Sequence, residues 1–261
     1  MPSVKGVAIV TGAGSGIGRG IAVQLADDGF DLVVNDLVSS KDALDSLLGE
    51  ITGQGRRAVA FTGDVSVEQD VIDLVKCAVD QFGGVDVMVA NAGVMLTKKL
   101  VDTTVDDWDR IFSINARGVF LCYKYAAEQM IKQGRGGRLI GPCSIAGKKG
   151  SPEMAAYSAT KFAIRGLTQV AAQEYGQYGI TVNAYAPGAI ETPLLNRVDD
   201  YNIKKTGGEK GSAIEAMKKN AALGRNGTPS DVAGLVSFLV TDKAQFITGQ
   251  SILIDGGLLF D

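Results

Sequence analysis

Short apolar runs alternate with longer amphipathic stretches along nearly the whole chain. Residues 7–10 are apolar and lead into a glycine-rich turn, after which Ile21, Ala22 and Leu25 recur at helical spacing, so a strand, a turn and a helix are predicted. The apolar runs 32–34, 58–61 and 85–89 predict three more strands, separated by helical segments near 41–54 and 68–82. A long helix is expected over 105–133, with Trp108, Ile111, Phe112 and Phe120 on its apolar face. Strands at 138–140 and 181–185, a helix near 230–240 and a last strand within 250–257 complete the pattern. Such alternation implies an α/β fold: a doubly wound parallel sheet of about seven strands with helices on both faces, a three-layer sandwich.

In such sheets ligands bind beyond the carboxyl ends of the strands. Gly12, Asp36, Asp64 and Asn91 all fall at such ends, with Val65, Ala92 and Gly93 beside them. The turn 11–18 reads Thr-Gly-Ala-Gly-Ser-Gly-Ile-Gly, in which glycine lets the backbone approach a pyrophosphate and the following helix start aims free N–H groups at the anion. Its spacing departs from the G-x-G-x-x-G dinucleotide fingerprint, and by itself it suits S-adenosylmethionine as well as NAD. Asp36 follows Gly18 at nearly the ~20-residue spacing at which an acid meets the adenosine ribose hydroxyls. That carboxylate, Leu37 after it and uncharged Ser15 favour NAD over NADP; Arg19 is the dissenting cation.

Composition narrows the chemistry. The 261 residues are read as one domain, 1–261, and the 34 glycines, well above an average share of about 7%, imply many tight turns. A net charge of −3 with interspersed signs gives no footprint for nucleic acid. No apolar run approaches the ~18 residues of a membrane span, and residues 1–6 read as the lead-in to a strand rather than a signal peptide, so a cytoplasmic protein is expected. Cys77, Cys122 and Cys143 form no disulfide or metal pattern. The chain has no histidine, which excludes a Ser-His-Asp hydrolase and a His-ligated zinc; no metal site is expected.

Acid-base work must then come from Tyr, Lys or a carboxylate. Tyr157 and Lys161, four apart on a predicted helix, share a face. A free phenol ionises near pH ~10, and a fixed cation beside it lowers that value toward the useful range. The same spacing also describes an ordinary surface pair. Ser144 ends the strand at 138–140, and the intervening loop is long enough for Ser144 and Tyr157 to converge. Asn115 sits in mid-helix, where its amide competes for backbone hydrogen bonds.

Taken together these residues resemble the short-chain dehydrogenase/reductase family in its single-domain, NAD(P)-dependent branch. The resemblance rests on T-G-x-x-x-G-I-G at 11–18, Asn91-Ala92-Gly93, Asn115, Ser144, Tyr157-x-x-x-Lys161, and Pro187-Gly188 followed by Thr192. Ala90 departs from it, since many members carry Asn there. The resemblance implies a Rossmann-type fold with the dinucleotide held by Gly12, Ser15, Gly16, Ile17, Gly18, Asp36, Asp64, Val65, Asn91, Ala92 and Gly93. It implies that Pro187, Gly188, Ile190 and Thr192 meet the nicotinamide end. Tyr157 would be the general acid-base, Ser144 would polarise the substrate oxygen, and Lys161 would hold the nicotinamide ribose and acidify Tyr157. Asn115 would position a relay water.

The reaction so implied is hydride transfer between NAD and a secondary alcohol or ketone, in a homodimer or homotetramer. Over 193–225 the composition turns polar and flexible, and by position this segment resembles the family's substrate lid, a solvated insertion being the other reading. Leu223-Gly224-Arg225, 246–250 and Gly256-Gly257 most resemble the acetoin/diacetyl reductase and 2,3-butanediol dehydrogenase subgroup. Met95, Ile145, Tyr185 and Leu194 are expected to line a mostly apolar substrate pocket suited to a small diol or acyloin. A 3-oxoacyl-thioester reductase, a polyol dehydrogenase, a methyltransferase and a non-catalytic nucleotide-sensing scaffold are the competing readings.

Overall fold

The structure, a computed structural model, describes residues 5–261; the expectation for the segment before Lys5 lies outside them. Strands β1 (Val7–Thr11), β2 (Asp31–Asp36), β3 (Ala58–Thr62), β4 (Val87–Val89), β5 (Gly137–Pro142), β6 (Ile180–Pro187) and β7 (Ser251–Ile254) form one sheet in the order β3-β2-β1-β4-β5-β6-β7. Every neighbouring pair is parallel. Helices α1 (Gly16–Asp27), α2 (Lys41–Gly53), α3 (Glu68–Phe82), α4 (Val105–Phe112), α5 (Gly118–Gln133), α6 (Ala155–Tyr175), α7 (Pro193–Thr206), α8 (Ser212–Asn220) and α9 (Pro229–Leu239) complete the order.

Strand alternation sorts the core into two layers. Ala8, Val10, Leu32, Val34, Val87 and Val89 pack with Ile21 and Leu25 of α1, Leu44 and Leu47 of α2, and Val232 and Val236 of α9. Ile9, Val33 and Met88 face the other way, onto Leu74 of α3, Val119 and Tyr123 of α5, and Ile164 of α6. Because both faces are covered, the strands read as continuous apolar runs, which is why periodicity located them. Gly20 brings α1 against α9: a Cβ there would lie 2.8 Å from Pro229 Cβ. β1 pairs with both β2 and β4, so the winding reverses at β1 and a crevice opens above its carboxyl end.

Two expectations change. The long helix of 105–133 is interrupted by a π-helical turn, Ser113–Arg117, centred on Asn115. The polar segment 193–225 is mostly helical: the Thr192 hydroxyl caps α7, Pro193 opens it, and Gly207 ends it in the left-handed region at φ 70°. Buried Asp199 accepts the Gly211 N–H at 2.6 Å and the Ala213 N–H at 3.1 Å, tying the start of α8 to α7. Among the described residues no helix is long and apolar enough to cross a membrane.

Candidate active site

A cleft of about 410 Å³ lies on the carboxyl-end rim of the sheet. Every residue expected to hold the dinucleotide lines it, from Gly12, Ser15, Gly16, Ile17 and Gly18 through Asp36, Asp64, Val65, Asn91, Ala92 and Gly93 to Pro187, Gly188, Ile190 and Thr192. Ser144, Tyr157, Lys161, Met95, Tyr185 and Leu194 line it as well. A second hollow of about 440 Å³ opens at the opposite end of the strands, where Arg57, Arg135 and Arg138 are matched by Asp31, Asp86 and Asp242.

Local geometry explains the glycines. Gly16 adopts φ 54°, which side chains rarely tolerate, and a Cβ on Gly18 would lie 2.2 Å from the Gly12 carbonyl oxygen. The α1 N-terminus has no acidic residue in its first turn and Ser15 makes no side-chain cap bond. Its free N–H groups and positive dipole end therefore face the cleft uncompensated. Asp36 accepts the Gly14 N–H at 2.9 Å and the Leu37 N–H at 2.8 Å. Arg19 is engaged elsewhere, 2.7 Å from Glu50 on α2.

Asn91 lines the cleft and also braces the glycine turn. Its Nδ2 donates to the Thr11 carbonyl at 2.8 Å and the Gly12 carbonyl at 3.2 Å, and its Oδ1 accepts from the Tyr185 hydroxyl at 2.8 Å. The amide is therefore spent on holding the glycine turn, and Tyr185, fully buried, supports Asn91 with its polar end. Thr192 likewise uses its hydroxyl locally, donating to the Ile190 carbonyl at 3.1 Å.

At the other end of the cleft β5 delivers Ser144 and the first turn of α6 delivers Tyr157. Ser144 Oγ accepts the Ala146 N–H at 3.1 Å, which leaves its hydrogen free to donate. Ser144 faces the Tyr157 phenol, and both are buried. Lys161 Nζ donates to the Pro142 carbonyl at 2.6 Å and lies 5.3 Å from the Tyr157 ring centroid. The expected acidification of Tyr157 by Lys161 is not what dominates here. Burial pushes the phenol up to about 12 against the pull of Ser144, and burial also brings Lys161 down to about 8. Neither Asn115 nor Ile145 lines the cleft, although both were expected to serve the site. Asn115 lies one layer behind: its Nδ2 donates to the Val94 carbonyl and its Oδ1 accepts the Val94 N–H, each at 2.8 Å.

This constellation has known counterparts. Residues 12–259 match the family model described as Enoyl-(Acyl carrier protein) reductase. The chain belongs to the short-chain dehydrogenase/reductase family. It is 52% identical to a short-chain dehydrogenase/reductase of Armillaria gallica, over 98% of this chain and 96% of that one. It is 43% identical to a diacetyl reductase [(S)-acetoin forming] of Staphylococcus epidermidis, over 97% of this chain and 98% of the relative. The solved structure of actinorhodin polyketide ketoreductase with NADPH matches at a TM-score of 0.92 and 33% identity, covering 97% of this chain and 96% of that one.

As a member of this family the chain is an oxidoreductase of alcohols and ketones that uses a nicotinamide cofactor. The cleft fits such a group. The uncapped α1 N-terminus suits a pyrophosphate, and buried Lys161 has donors to spare beyond its bond to Pro142, suited to ribose hydroxyls. Sequence reasoning missed Pro142, which holds Lys161, and Arg197, which lines the cleft from α7. Arg197 stands at helical spacing from Pro193 and Leu194, and that spacing was its only available signal.

Proposed function

We propose that this short-chain dehydrogenase/reductase interconverts small uncharged ketones and secondary alcohols of the vicinal-diketone and acyloin kind, with NAD(H) as its preferred cofactor. The observation that carries the reading is the meeting of buried Ser144, Tyr157 and Lys161 on one wall of the cleft. Reduced nicotinamide supplies the hydride. Tyr157, protonated at neutral pH, gives its phenolic proton to the substrate oxygen, and Ser144 donates a hydrogen bond to the same oxygen as charge builds there. Lys161, on the same wall of the cleft as Tyr157, would hold the ribose hydroxyls with the donors it does not spend on Pro142. Asn115, through its paired bonds to Val94, fixes the loop that carries Met95.

Apolar Met95 and Leu194 in the cleft support an uncharged substrate, as does the likeness to the staphylococcal diacetyl reductase. Asp36 supports NAD, because a 2′-phosphate beside a carboxylate is repelled, and Arg19 is already paired with Glu50. The test is a panel of ketones and diols, with diacetyl and acetoin among them, followed by absorbance of the reduced cofactor with NADH and NADPH in parallel. Diacetyl turnover with NADH is expected; turnover with NADPH alone overturns the cofactor preference. Asp36→Ala is expected to weaken NADH more than NADPH.

We also infer self-association into a homodimer or homotetramer. Phe120 of α5 and Phe162 and Val170 of α6 are exposed on adjacent helices, and Leu223, Phe246 and Phe260 are exposed elsewhere.

A further inference from the structure

Glu153, in the loop between Ser144 and Tyr157, has φ 65°, the one positive φ at a non-glycine residue among those described. Such strain persists only where the surroundings hold it, and it clusters at functional sites. The Glu153 carbonyl accepts the Lys98 N–H at 2.7 Å, beside a short parallel bridge between Lys98 and Met154. Its carboxylate accepts two hydrogen bonds, both 2.8 Å, from Lys205 Nζ in the last turn of α7. Lys98 in turn donates to Asp107, at the start of α4, at 2.6 Å.

Three segments around the substrate end thus meet at one residue: the loop carrying Met95, the loop that joins Ser144 to Tyr157, and α7, which carries Leu194. Met95 and Met154 both pack in the cluster that contains Tyr157. We propose that Glu153 is a positioning residue: its bond to Lys205 latches α7 onto the loop between Ser144 and Tyr157 and sets the shape of the substrate end of the cleft. The inference rests on reading 193–225 as a lid over that end. The Glu153 side chain is 16% exposed and that of Lys205 47%, so the pair stands partly in water and acts on binding by a few-fold rather than by orders of magnitude.

Glu153→Gly separates the latch from the fold. Glycine takes a φ of 65° without strain, so the variant is expected to unfold at the same temperature as the natural chain or higher, while lacking the carboxylate. With diacetyl and NADH, its KM for the ketone is expected to rise roughly two- to fivefold, with NADH affinity by fluorescence titration unchanged. Lys205→Met should show the same rise, and the double variant no more than either single change. Added salt should raise the KM of the natural chain and leave both variants where they are. Amide hydrogen exchange of α7 in the cofactor-bound chain should quicken in both variants. That readout needs no substrate, so a chain inactive on diacetyl fails the functional reading alone. Unchanged exchange of α7, or effects of the two substitutions that add independently, overturns the latch.

Discussion

Burial sets the resting state of the catalytic pair. The phenol of Tyr157 is protonated at neutral pH and ready to donate, which is the form that ketone reduction needs. Tyr157→Phe removes only that proton, so turnover is expected to vanish while fluorescence still reports NADH binding. Lys161 carries its charge at a cost: its fall from 10.5 to about 8 amounts to about 3 kcal/mol against the folded chain. The folded state disfavours the ammonium, so the penalty is full below pH about 8 and vanishes above the unfolded value of 10.5. Lys161→Met is therefore expected to abolish activity and to remove the dependence of stability on pH between about 8 and 10.5 in the cofactor-free chain. The kcat/KM for NADH, which reports the free enzyme, should fall as pH rises through about 8. Side-chain type and spacing made these residues legible in the sequence. The balance between burial and charge was not, because it depends on what Pro142 and Cys143 place around the pair.

Elements were legible where periodicity is local. The apolar face of α4 and α5 predicted one helix, and only the misfit of an Asn in its middle hinted at more. The π-helical turn is decided by a tertiary partner: Asn115 reads both backbone groups of Val94 at once. Such a turn rotates one residue off the helical register, and π-turns of this kind recur at functional sites. Asn115→Ala leaves the half-buried Val94 N–H and C=O without their side-chain partners, a loss of about 1 kcal/mol or more in denaturant unfolding. The loop that carries Met95 should slacken with it, raising the ketone KM. In 193–225 the polar composition suggested flexibility, although Thr192, Pro193 and Gly207 already mark a helix start and stop. What composition hid was Asp199, a buried carboxylate that pins the second helix to the first.

For the whole molecule, alternation implied a parallel sheet, but strand order and outer faces arise from how the crossovers pack. The layer formed by α5 and α6 buries Val119, Tyr123 and Ile164 inward, yet turns Phe120, Phe162 and Val170 outward. Phe162 and Val170 stand eight apart on one stripe of α6, so their exposure repeats along the helix instead of occurring once. A separate surface is formed at the sheet edge. β7 is the last strand of the sheet, and edge strands are normally covered or paired. Two such surfaces, each closed by its own two-fold axis, generate a tetramer, whereas one alone stops at a dimer. Placing a carboxylate at Phe162 sets two like charges face to face across a two-fold axis through the α5–α6 layer. Phe162→Asp is therefore expected to halve the mass measured by light scattering after size exclusion, to two chains if β7 supplies the second interface and to one if it does not. An unchanged mass removes the α5–α6 layer as the site of self-association.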